Sequence, residues 1–180
     1  MTYLILPAAP TELLPKRTGD QITWHGLEGS SQMLAVSEFR AAIGHSTKVA
    51  ESDLTVIVTA EPASTDQWAS GLRFFQSAAS TINDIARFPD WETLPYDSFS
   101  PHQDITSERL ACLQQLRNKP AGVLIVPAAT LVQKIAPTSF LDGACFELKR
   151  GQLFQAEEQR LRLEAAGYHA TDTVTERGQY

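Results

Sequence analysis

Residues 24–33, Trp-His-Gly-Leu-Glu-Gly-Ser-Ser-Gln-Met, run straight into a helical pattern and invite comparison with a phosphate-binding loop. That chemistry needs G-x-x-x-x-G-K-[ST]. The glycines let backbone N–H groups curl round the phosphates, the lysine neutralises the β and γ oxygens, and the hydroxyl holds magnesium. Aligned on Gly26, with Gly29 inside the loop, the chain places Ser31, Gln32 and Met33 where the second glycine, the lysine and the hydroxyl belong. Glu28 adds a carboxylate that repels phosphate. No strand-like run carries an acidic pair to complete a magnesium site, and Glu61 stands alone before Pro62. What survives is a helix N-terminus, which attracts anions weakly. Two readings stay open: an ordinary capped helix start, or a degenerate nucleotide loop whose working groups are gone.

The stretch 88–110, FPDWETLPYDSFSPHQDITSERL, is the other candidate. Pairing Asp97 with His102, alone or in a Ser-His-Asp set, requires a nucleophile and an oxyanion hole that nothing here supplies. The residues read instead as an aromatic-rich connection. Trp91, Tyr96 and Phe99 are expected to cover the rim of a sheet, with Asp90, Asp97 and Asp104 capping or solvating it. Cys112 and Cys145 sit in apolar runs and read as buried thiols, and the four histidines are scattered singly, so no metal site is expected. The net charge is −6 with 15 dispersed Lys and Arg, which argues against autonomous nucleic-acid binding and for a protein or intramolecular partner.

These residues must be positioned by an α/β framework. The chain has 180 residues, 43% hydrophobic and 20% charged, enough for one domain with part of a second. Its apolar stretches are too short for a membrane span and its N-terminus lacks the pattern of a signal peptide, so a cytoplasmic protein is expected. From Gln21 onward, apolar runs alternate with amphipathic segments, as parallel strands joined by helices do. Helices are expected over 30–44, ending at Gly44, and over 64–79, with Trp68, Leu72 and Phe75 on one side. Leu54–Ala60 and 121–129 read as strands covered on both faces, and 82–89 as a weaker strand. A helix over 100–118 is expected to use Ser100 as N-cap, Pro101 at the first position and Gln103 in a capping box. Pro127 interrupts the second strand before a short helix over 129–136. After Gly143 the texture changes to a half-exposed strand (145–152), a helix (156–168) and a strand-like run that continues to Tyr180, which reads as cut from a larger protein.

The 88–110 segment resembles the N-terminal region of the bacterial transcription-repair coupling factors (the Mfd family), whose hallmark is DWETLPYDSFSPHQDI followed by SxRL. Asp90, Trp91, Tyr96, Asp97, Phe99, Pro101, His102 and Arg109 carry the match, and a structural role is expected for them. In the same order, GVLIVPAATLVQKIAP, KRGQ and LEAAGYHATDTVTERGQY are similar to further family segments. Ala170 and Thr171 depart from the pattern, and Gln179 replaces the usual acid. The resemblance implies a degenerate RecA-like parallel sheet similar to the first domain of UvrB (21–143), preceded by an extension (1–20). It also implies the start of a small mixed α+β domain that binds UvrA (144–180). The loop containing Gly26, Gly29, Ser31, Gln32 and Met33 would then sit between a first strand and a first helix. It implies a non-catalytic scaffold for UvrA recruitment in transcription-coupled nucleotide excision repair, without its own cofactor. ATP and magnesium, RNA polymerase and DNA would belong to other modules, and an intramolecular contact with them fits the family. The partner surface would include Arg177, Gln179 and Tyr180, with a key arginine falling beyond residue 180. The competing expectation is a nucleotide-binding or ATPase domain of a UvrB-like helicase with an unorthodox loop.

Overall fold

The computed structural model describes residues 17–44, 54–75, 85–94, 96–118, 122–144, 150–151, 153–176 and 178–180. Three parallel strands form its centre, in the order β1 (Leu54–Thr59), β3 (Gly122–Pro127), β2 (Ile85–Arg87). The register sets Val56 opposite Leu124, Val58 opposite Val126 and Ile85 opposite Val123. Side chains alternate across a strand, so Ile57, Ile85, Val123 and Ile125 share one face. Helices α1 (Ser30–Gly44) and α2 (Ser64–Phe75) cover it, burying Met33, Ala69 and Leu72 against Ile57, Val123 and Ile125. Trp68 and Phe75 pack beside them, as their helical spacing with Leu72 requires. Gly71 lets α1 come close: a Cβ there would lie 2.8 Å from Met33 Cγ.

The opposite face takes α3 (Gln103–Asn118), with Cys112 among Ala86, Phe88 and Val126. Burial pushes the Cys112 thiol up to about 11, in keeping with its place as a packing group in this cluster. Cys145 lies outside the described residues. Among the described residues, α3 packs through Cys112 on Ala86 of β2 and Val126 of β3. β1 was expected to be covered on both faces, but Val56 and Val58 are 46% and 50% exposed and Leu54 is open too, while Ile57 and Thr59 are buried.

Three local expectations shift. Helix α3 begins at Gln103 because His102, not Ser100, caps it: the Asp104 N–H donates to His102 Nδ1 at 3.2 Å and the Thr106 N–H to the His102 carbonyl at 3.2 Å. The short helix after β3 is α4 (Ala128–Leu131), and a second, α5 (Thr138–Ala144), starts past Pro137, whose carbonyl accepts the Phe140 N–H. The final strand-like run is a closed loop after α6 (Ala156–Ala165), in which His169 and Gln179 form an isolated bridge and the Tyr180 N–H donates to the His169 carbonyl at 3.0 Å. The half-exposed strand expected over 145–152 falls mostly outside the described residues. Among the described residues, no helix is long and apolar enough to cross a membrane.

Candidate functional site

The loop before α1 does not follow a strand. Residues 20–25 are irregular, and Trp24 turns to meet Phe39 of α1 edge-on, with ring centroids 5.6 Å apart. A phosphate loop needs strand, loop and helix in succession, so the expected first strand is corrected here. Gly26 (φ 73) and Gly29 (φ 53) still take left-handed conformations that favour glycine. The other loop groups bond within the loop itself: the Ser31 hydroxyl donates to the Glu28 carbonyl at 2.7 Å and Gln32 Nε2 to the Leu27 carbonyl at 3.1 Å. Met33 is 4% exposed, inside the core. At the carboxyl ends of β2 and β3, where open α/β sheets commonly hold ligands, a cleft of about 750 Å³ lies between α2 and α3. Asp66, Asp90, Glu92 and Glu108 line it against Arg73 and Arg87, and Arg87 is ion-paired with Asp66. A polyphosphate there would meet more carboxylates than guanidiniums. No group of three His, Cys, Asp or Glu among the described residues is placed to hold a metal.

The 88–110 segment divides into two halves with different fates. Its first half is a knot. Asp90 Oδ1 accepts from the buried Thr130 hydroxyl at 2.6 Å and from Gln133 Nε2 at 3.2 Å, and Oδ2 accepts from the Glu92 N–H. These bonds, the one from Thr130 foremost, hold the Asp90 carboxyl below the usual carboxylate range. Arg109, only 3% exposed, lies between two rings, 4.3 Å from the Phe88 centroid and 4.0 Å from that of Trp91. Its Nη1 donates to the Pro89 carbonyl at 2.7 Å. Burial lowers the Arg109 pKa, while the charge of Asp90 opposes that shift. The segment is thereby tied to both α3 and the turn after β3.

The second half presents its large side chains to solvent. Tyr96 and Phe99, expected to pack over the sheet, are 98% and 82% exposed, and Leu94 is open as well. Asp97 shapes the turn: its Oδ2 accepts from the Leu94 N–H at 2.7 Å, and its own N–H donates to the Leu94 carbonyl at 3.1 Å. Pro101, His102, Gln103 and Asp104 then form one wall of an open groove of about 1090 Å³, whose other wall includes Tyr168, Glu176, Gly178 and Gln179. Gln179 Oε1 accepts from the Thr175 N–H, the Thr175 hydroxyl and the Glu176 N–H, closing the loop that forms this second wall. The Tyr180 hydroxyl donates to Glu164 at 2.9 Å. Of the three residues expected on the partner surface, Gln179 borders the groove, Tyr180 is tied to α6, and Arg177 lies outside the described residues.

No protein-family model matches the chain. The transcription-repair-coupling factor of Haemophilus influenzae is 41% identical over 128 residues, 71% of this chain and 11% of that protein. Its counterpart from Escherichia coli is 38% identical over 168 residues, covering 93% of this chain and 13% of its own length. The chain belongs to the transcription-repair-coupling factor family. It spans roughly an eighth of the length of these relatives. In this coupling-factor chain, the residues that sequence reasoning missed are the remote partners. Thr130 and Gln133 lie some forty positions from Asp90, and Glu164 lies 16 from Tyr180. No local pattern marks such pairs.

Proposed function

We propose that this chain is a non-catalytic recruitment module of a transcription-repair coupling factor, presenting a surface for UvrA in transcription-coupled nucleotide excision repair. The observation that carries the reading is the groove between the start of α3 and Gly178–Gln179, which brings the two family-like segments together as one accessible surface. In this reading the α/β layers of residues 21–143 are a RecA-like scaffold without nucleotide chemistry, and residues from 144 onward begin the small partner-binding domain. Arg177, Gln179 and Tyr180 belong to the partner side. The chain itself uses neither ATP nor magnesium. Those, with RNA polymerase, DNA and any intramolecular contact, belong to other modules of a cytoplasmic protein. The test is a pull-down with purified UvrA, comparing this chain with a longer family polypeptide. Failure of both to retain UvrA sinks the proposal.

The second reading, a nucleotide-binding domain with an unorthodox loop, would use the cleft at the carboxyl ends of β2 and β3 for its position in the sheet, against the excess of carboxylates that lines it. Calorimetric titration with Mg-ATP separates the two: micromolar binding would establish the nucleotide reading, and no heat of binding would remove it.

A further inference from the structure

The second half of the 88–110 segment has side chains that the fold does not use. Leu94, Tyr96 and Phe99 are 73%, 98% and 82% exposed. The segment is nevertheless held. Asp97 closes the turn on Leu94, the Asp90 knot fixes the chain before it, and the His102-capped start of α3 fixes the chain after it. A loop already restrained with large side chains outward has met part of the ordering cost of binding. Tyrosine and other aromatics of this kind dominate protein–protein contacts when they enter a pocket.

The surroundings define the kind of partner. Asp97 is exposed in the loop's own turn and Asp104 is partly so at the start of α3, with exposed Glu176 across the groove, whereas Arg109 is buried. Carboxylates placed this way repel nucleic-acid phosphates and complement lysine or arginine.

We propose that Leu94 and residues 96–99 form a docking element that inserts Tyr96 and Phe99 into an apolar, basic-rimmed pocket of the recruited protein, with the groove against Gly178–Gln179 as its continuation. The inference rests on the recruitment reading above and adds a second contact region to it. The experiment compares the complete polypeptide carrying these residues with its Tyr96→Ser/Phe99→Ser double variant, using purified UvrA as the probe in titration calorimetry. Among the described residues neither ring is buried, so the double variant should melt as the parent does. Its affinity should fall by about 30-fold or more, as for loss of one hot spot. Equal affinity of parent and variant for UvrA would overturn the docking element and leave the recruitment reading standing. No binding by the parent would overturn both. A clear drop in the variant's melting temperature would also overturn the proposal, because the rings would then be serving the fold.

Discussion

Arg109→Lys is a sharp probe of the Asp90–Arg109 knot, because it keeps the charge and removes the shape. The guanidinium stacks between Phe88 and Trp91 at 4.3 and 4.0 Å and donates to the Pro89 carbonyl. An ammonium on a flexible stem cannot lie flat between two rings while keeping that bond. Buried cation–π contacts contribute up to about 2 kcal/mol each, and a hydrogen bond from a charged donor about 1.5–3. Lysine recovers part of this, but being more strongly hydrated it also loses more on burial, leaving a net cost of roughly 2–3 kcal/mol. For a chain of this size, such a loss lowers the melting temperature by roughly 5–10 °C. Trp91 is only partly buried, so Trp91→Ala should cost less than the 3–5 kcal/mol typical of fully buried large aromatics, about 2. Urea unfolding of both single variants and the double variant closes a thermodynamic cycle, with an expected coupling of about 1 kcal/mol or more. Arg109→Lys within about 0.5 kcal/mol of the parent, or no coupling to Trp91, would refute the stacking account.

The Asp90 bonds predict a pH dependence. A carboxyl whose pKa is lowered on folding stabilises the folded state above its unfolded value, about 4, and that contribution is lost as pH falls through the lower folded value. Thr130→Val removes the principal donor and should cost about 1.5–3 kcal/mol at neutral pH. The gap to the parent should narrow in acid, and urea midpoints that differ by a constant amount from neutral pH down into strong acid would contradict it. At the groove, Gln179 Oε1 acts only as an acceptor, so Gln179→Glu should stay within about 0.5 kcal/mol of the parent. Gln179→Leu should instead speed amide exchange at Thr175 and Glu176, and unchanged exchange there would show that the side chain does not close the loop.

Much of the framework was legible because it is local. The spacing of Trp68, Leu72 and Phe75 places one face of α2 on the core, and the β-branched runs mark β1 and β3. Helix α3 was legible too, but its first residue was not. Ser100 and Pro101 form a good N-terminal pattern on paper, and the choice fell to His102, whose ring nitrogen reaches the Asp104 N–H. In place of the strand expected before Gly26 the chain is irregular, and Trp24 packs edge-on against Phe39 of α1. At the candidate site, the absence of lysine and hydroxyl from the loop was readable residue by residue. The division of the 88–110 segment into a tethered half and a presented half was not. It depends on Thr130 and Gln133, which become neighbours of Asp90 only when β3 is in place.

The open side of β1 has a colloidal consequence. Leu-Thr-Val-Ile-Val-Thr contains no charge, and its Leu54, Val56 and Val58 face is exposed. Short β-branched segments of this type stack into cross-β ribbons when two copies meet. The sequence flanks this one with acids, Glu51 and Asp53 before it and Glu61 after it. Such flanking charges act as gatekeepers, repelling a second copy of the same strand. Salt screens such repulsion, so concentrated solutions of the protein should become turbid as ionic strength rises, before the core itself unfolds.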